Sequence, residues 1–306
     1  MSSVETPHER RPLLLFGATG QVGRELLRAL APLGPVVAPR RDEADLTKPQ
    51  RLRDVIRAAR PIAVVNAAAV TNVDQAEREP MLARAVNAIA PGVMGEEARR
   101  VGAVVVHYST DYVFDGTATT PYDERARPNP INLYGQTKLA GEQSVAASDA
   151  AHFIIRTSWV YSADGNGFVP TFVRQLKGSG PVRVVSDQIG SPTWSRSLAN
   201  TTAAMLRSIL LPDNLQLSPE DWGVYHLGGA GVGSRLDIAR EVVSALARLA
   251  AEPPPEVIPI SAADFNAVAK RPTYSALSND RASRRFGLRL DPWRLEIRRM
   301  LDSGLE

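Results

Sequence analysis

Apolar positions along the chain fall into two patterns that alternate. Leu13-Leu14-Leu15-Phe16, Ile62-Ala63-Val64-Val65-Asn66, Ala103 to Tyr108 and Phe153-Ile154-Ile155-Arg156 are short apolar runs of the length expected for buried strands. Val36-Val37-Ala38 reads as a shorter one. Between them, Arg24 to Leu33, Pro49 to Ala59, about Pro80 to Val101 and a segment beginning near Asn132 carry helical periodicity or helix-start signals. Strand-helix alternation predicts an α/β fold, a Rossmann-type doubly wound parallel sheet that binds ligands at the carboxyl ends of its strands. Val70 to Glu79 reads as a polar loop, and Asp115 to Pro130 as a loop covering that end.

Beyond residue 160 the pattern is less regular. Helices are expected from Gly165 to about Lys177, Trp194 to Leu210, Ser234 to Ala250 and Pro292 to Leu301, and strands at Val182 to Val185, Gly223 to Leu227 and Val257 to Ile260. Ser186 to Thr193 reads as a polar turn and Leu211 to Asp221 as a surface loop, and Pro253-Pro254-Pro255 breaks the chain. Because the chain crosses between layers more than once, a smaller, discontinuous α/β substrate-binding domain is expected. The predicted division is a disordered tail at 1–11, a dinucleotide-binding domain at 12–160 with parts of 187–228, and a substrate domain at 161–186 and 229–306.

Composition narrows the classes. The 306 residues are 44% hydrophobic and 23% charged, ordinary for a globular protein with a sizeable core. No apolar run approaches the length of a membrane span, and Met1 to Pro12 carries no hydrophobic signal region, so a soluble cytoplasmic protein is expected. The absence of cysteine excludes disulfides, thiolate metal sites and thiol nucleophiles. The net charge of +3 comes from scattered arginines, which is weak evidence for nucleic acid and fits a small anionic ligand as well; no nucleic-acid partner is expected.

Six places are candidates for chemistry. Gly17-Ala18-Thr19-Gly20-Gln21-Val22-Gly23 lies between strand and helix, where glycines permit a tight turn and close approach to a pyrophosphate at the helix N-terminus. After the second strand stand Arg40 and Arg41 rather than an acid, which suits the 2′-phosphate of NADPH over NADH, with solvated surface arginines as the alternative. The small residues Ala67-Ala68-Ala69 leave room for a flat ligand. Ser109-Thr110-Asp111 ends the strongest strand, and Tyr134 and Lys138 share one helix face, so an ammonium near the phenol would lower its pKa. Trp159 could stack on a sugar ring or pack in the core, and Arg271 could pair with a diphosphate or with a surface acid. His226 has no partner motif and reads as a packed strand histidine.

The segments GATGQVG, VNAAAVTNVDQAE, VVVHYSTDYVFDG, YGQTKLAGE, RTSWVY and VVSDQIGSPTW together resemble the dTDP-4-dehydrorhamnose reductase family of extended short-chain dehydrogenases/reductases, from about Leu13 to Leu301. The resemblance implies that Tyr134 is a proton donor, that Lys138 holds the nicotinamide ribose and lowers the tyrosine pKa, and that Thr110 tunes the keto oxygen. It implies cofactor contacts from Gly20, Gln21, Val22, Asp45, Leu46, Ala69, Val70, Thr71 and Tyr108, and places Thr110, Asp111 and Trp159 at the deoxysugar. The partner implied is a dTDP-linked 4-keto-6-deoxy sugar. An epimerase or dehydratase on the same fold, and a non-catalytic NADP-binding regulatory subunit, are the alternative functions. Some members are dimers bridged by magnesium through acidic side chains; Glu25 matches one such position, but Arg196 and Ser303 stand at the others, so a monomer or weak homodimer without a metal bridge is expected.

Overall fold

The computed structural model describes residues 11–163, 167–178, 180–210, 217–247, 255–265 and 267–303. Most of the expected N-terminal tail, the first part of the 211–221 loop and most of the triple-proline break lie outside them. In chain order the strands are β1 (Leu13–Phe16), β2 (Val36–Val37), β3 (Ala63–Asn66), β4 (Val104–Thr110), β5 (His152–Thr157), β6 (Val160–Tyr161), β7 (Val182–Val185), β8 (Ile189–Gly190), β9 (Thr193–Trp194), β10 (Gly223–His226), β11 (Gly233–Ser234) and β12 (Val257–Ile260). The helices are α1 (Gln21–Leu30), α2 (Pro49–Ala59), α3 (Val73–Arg78), α4 (Pro80–Arg84), α5 (Ala90–Val101), α6 (Leu133–Ala146), α7 (Phe168–Leu176), α8 (Ser195–Leu210), α9 (Arg235–Leu246), α10 (Asp280–Phe286) and α11 (Trp293–Asp302).

Six strands form one parallel sheet in the order β10-β5-β4-β3-β1-β2. Strand side chains alternate between its faces. Leu13 and Leu15 pack with Leu26, Leu30, Leu198 and Leu206 of α1 and α8, whereas Leu14 and Phe16 pack with Leu52, Ile56, Val93 and Met94 of α2 and α5. The sheet is therefore covered on both faces, which explains why its strands read as unbroken apolar runs. Strand order reverses at β1, between β2 and β3, and the crevice at that switch point is where open α/β sheets take their ligands.

A second core joins α7, α9 and α11 to the parallel pair β7–β12, around Phe172, Val184, Val242, Trp293 and Ile297. Ala282 and Phe286 of α10, and Leu290 beyond it, pack on the first core instead. Among the described residues no helix is long and apolar enough to cross a membrane.

Three local expectations change. The segment read as a polar loop contains α3, because Asn72 caps it by accepting from the Gln75 amide at 2.9 Å. The long helix expected from Pro80 is interrupted by a π turn at Ala85–Ile89. The Ser186–Thr193 turn holds the two short strands β8 and β9, which pair with β11 and β6. The loop after β4 is anchored: Tyr122 stacks on Phe114 at 4.1 Å, and its carbonyl accepts from Ser278 at 2.8 Å.

Candidate active site

The glycine turn joins β1 to α1. Gly17 has φ +83°, and a Cβ there would lie 2.6 Å from the backbone nitrogen of Ala68, so the turn is pressed against the residues leaving β3. A Cβ at Gly23 would lie 1.9 Å from the Gly17 carbonyl oxygen, which holds α1 directly on the turn. Helix α1 begins at Gly20 with no side-chain cap, leaving its first amides for an anion. Gln21 bridges to the second lobe, its Oε1 accepting from Ser162 at 2.8 Å, and Val22 packs on the first core.

Across the crevice, Ala69 and Val70 are half-buried and Thr71 is exposed. Val70 is held by a residue that the sequence reading missed. Asn87, fully buried in the π turn, accepts from the Val70 amide at 2.8 Å and donates to its carbonyl at 3.1 Å and to Thr137 Oγ1 at 3.2 Å. An Asn in mid-helix, where it is a poor helix former, was the available signal.

The remaining predicted cofactor residues vary in availability. Asp45 closes its own turn, accepting from the Thr47 amide at 2.9 Å and hydroxyl at 2.8 Å, which lowers its pKa. Leu46 packs at the edge of the α2–α5 core. Arg40 is exposed, 3.6 Å from Asp42. Tyr108 turns its phenol away, hydrogen-bonded to Thr202 at 2.6 Å, so it offers the site its backbone.

That backbone holds the lysine. Lys138, 2% exposed, donates through Nζ to the Tyr108 carbonyl at 2.6 Å, and burial lowers its pKa to about 8 although Glu142 opposes the shift. Glu142, on the same helix, receives bonds from Ser109 at 2.5 Å and from Arg156 Nη2 at 2.7 Å, a buried cluster that fastens α6 to β4 and β5.

The Tyr134 phenol interacts with the Thr110 side chain, which lowers its pKa less than burial raises it. This is opposite to the expectation that Lys138 depresses it: desolvation of the ring dominates while the ammonium is engaged by Tyr108. The phenol is consequently neutral near pH 7, the state a proton donor requires. Thr110 Oγ1 donates to Asp111 Oδ1 at 3.1 Å and accepts from the Tyr112 amide at 3.2 Å, leaving one lone pair for the phenol.

Asp111 is 2% exposed, and its Oδ2 accepts from Ser158 at 2.9 Å and Ser275 at 2.5 Å. Burial raises its pKa to about 6 against those hydrogen bonds. The carboxylate is engaged on both oxygens, so it orients Thr110 rather than standing free toward a ligand. Ser158 and Ser275 were not foreseen, since nothing local marks them.

Beside this group lies a cavity of about 630 Å³ lined by Arg183, Arg235, Lys270 and Arg271, with apolar walls at Val184, Phe168 and Phe265 and no carboxylate among its described lining residues. Such a lining favours an anion. Arg271 also pairs with Asp74 at 3.0 Å, the ion pair that was the alternative reading of this residue. Lys270 was visible beside Arg271; Arg183 and Arg235, one on a strand and one opening a helix, carried no signal. The Arg235 guanidinium lies near Tyr112, whose ring meets Tyr134 edge-on at 6.0 Å, linking cavity to phenol. His226 is buried as expected, its Nδ1 3.1 Å from the Tyr122 carbonyl. Glu25 is taken up by Arg196, with Nε 3.3 Å from each carboxylate oxygen, and by Arg28.

A family model described as the RmlD substrate binding domain matches residues 11–305. A dTDP-4-dehydrorhamnose reductase from Burkholderia thailandensis is 41% identical over 288 residues, spanning 93% of this chain and 96% of its own. That from Salmonella typhimurium is 40% identical over 301 residues, spanning 94% and 96%. Among solved structures, dTDP-4-dehydrorhamnose reductase from Bacillus anthracis in complex with NADP superposes with a TM-score of 0.86 at 35% identity, covering 96% of this chain and 100% of that one. By the family model and these relatives, the chain belongs to the dTDP-4-dehydrorhamnose reductases, oxidoreductases built on a Rossmann-type sheet.

Proposed function

We propose that the protein is a cytoplasmic reductase that uses NADPH to reduce the C4 ketone of dTDP-4-dehydro-β-L-rhamnose to the alcohol, giving dTDP-L-rhamnose, with Tyr134 as proton donor. The observation that supports this most is the placing of the Tyr134 phenol beside the Thr110 side chain, at the carboxyl end of β4 and next to the glycine crevice. A neutral phenol beside a Thr110 hydroxyl that Asp111 orients presents one hydrogen-bond donor to the carbonyl oxygen.

The residues fit the cofactor. The turn at Gly17–Gly23 and the uncapped start of α1 suit its pyrophosphate, Ala69 and Val70 a flat ring, and Arg40 its 2′-phosphate. NADPH, when bound, supplies hydride to the carbonyl carbon. Tyr134 gives its proton to the oxygen, and Lys138, an ammonium with a pKa of about 8, offsets the phenolate left behind once it is drawn from Tyr108.

The second lobe acts as the substrate domain, its cationic cavity taking the dTDP diphosphate through Arg271 and its neighbours and Trp159 facing the sugar. The taking of Glu25 by Arg196 supports a monomer or weak homodimer without a metal bridge. Mixing the protein with NADPH and the dTDP-4-keto-6-deoxy-L-sugar should consume NADPH and form dTDP-L-rhamnose. No consumption, with the cofactor bound, would overturn the reading.

A further inference from the structure

Trp159 follows β5 with its backbone in the left-handed region, φ +44°. Its indole is half-buried against the second core. Gly190 lies so near that a Cβ there would be 2.6 Å from Cε2. Over the ring sits the Arg235 guanidinium, 4.3 Å from the centroid and 5.3 Å from that of Phe168. The ring is therefore covered where a sugar would stack.

Arg235 belongs equally to the cationic cavity, and its partners are poor ones for a charge. Among the described residues its guanidinium sits over two aromatic faces and forms no ion pair. A bidentate, charge-assisted pair with phosphate oxygens is stronger than a cation–π contact. The indole Nε1 is buried with no hydrogen-bond partner, the mark of an incomplete polar site.

We propose that Arg235 is a diphosphate-responsive cover on Trp159. The anionic part of a nucleoside-diphosphate sugar entering the cavity draws the guanidinium off the indole, and the uncovered ring with its free N–H takes the sugar. Recognition is then ordered within one ligand: the diphosphate opens the surface that the sugar needs. A sugar without the diphosphate finds it closed. The inference rests on the substrate class given under the proposed function.

The test follows tryptophan fluorescence during titration with dTDP, and separately with thymidine, in the wild type, Arg235→Met, Arg235→Gln and Trp159→Phe. Saturation is fixed by calorimetry, and folding of each variant by thermal melting and NADPH binding. dTDP should change the emission of the wild type, thymidine should not, and the change should vanish in Trp159→Phe and in whichever Arg235 variant folds. In steady state, loss of Arg235 should raise the KM for the dTDP sugar about 10- to 100-fold, with KM for NADPH unchanged. An unchanged emission at saturating dTDP, or an equal change in the Arg235 variants, overturns the cover. Failure of the reductase reading looks different, since the wild type itself would then leave NADPH unoxidised.

Discussion

Asp111 and Thr110 are neighbours in the chain, and their side chains are hydrogen-bonded at 3.1 Å. One residue thus aims the next, and Ser158 and Ser275 hold the aiming group in turn. As pH falls through about 6, Asp111 takes up a proton and must donate, so one of the three hydroxyls loses its acceptor. The kcat of the wild type should decline below that pH. Asp111→Asn should lower kcat on the order of tenfold and flatten the acid limb; a variant whose limb coincides with that of the wild type would exclude this role.

Tyr134→Phe removes the phenol and keeps the ring against Tyr112. It should bind NADPH normally while kcat falls by about 10²- to 10⁴-fold. Full turnover in the variant would remove Tyr134 from the chemistry.

Arg40 stands exposed where a 2′-phosphate is expected. In Arg40→Ala the KM for NADPH should rise while that for NADH stays constant, measured with the same sugar at saturation. A parallel rise in both would mean that Arg40 reads no phosphate.

Glu142 meets Arg156 and Ser109 out of contact with water. Glu142→Ala leaves a buried guanidinium uncompensated and should cost about 3–5 kcal/mol of stability, read by urea unfolding. A loss within the range of a surface substitution would show that the pair is unimportant.

Glu296 is 1% exposed, one of its carboxylate oxygens is buried without a hydrogen-bond partner among the described residues, and burial raises its pKa from 4.5 to about 7. The folded state therefore binds this proton more tightly than the unfolded one. Its contribution is complete below about pH 4.5 and is lost as pH rises through 7. Asp111 acts in the same sense at lower pH. Glu296→Gln should melt closer to, or above, the wild type at pH 8 than at pH 5. Melting curves with a constant offset across that range would reject the linkage.

The parallel sheet was legible because burial on both faces leaves unbroken apolar runs, and Gly17, Thr110 and Tyr134 because each stands at a strand end or helix start, with Lys138 one turn beyond Tyr134 on the same helix. Less local features escaped. The charge environment of Tyr134 depends on which group Lys138 contacts first, and spacing along one helix does not reveal that the Tyr108 carbonyl competes. Asn87 acts through a π turn that periodicity reads as continuous helix. The cavity draws Arg183 from β7 and Arg235 from α9, and only folding makes them neighbours.

The π turn also bears on how such a chain can change. It holds a residue more than a regular helix of the same span, so a single deletion between Ala85 and Ile89 would restore regular geometry and cost the helix little. Because the π turn absorbs its extra residue locally, the flanking turns would keep their facing, but Asn87, inside that turn, would be carried away from Val70 or from Thr137. The shorter chain would keep its sheet and lose its alignment, so this stretch tolerates substitution more readily than any change in length.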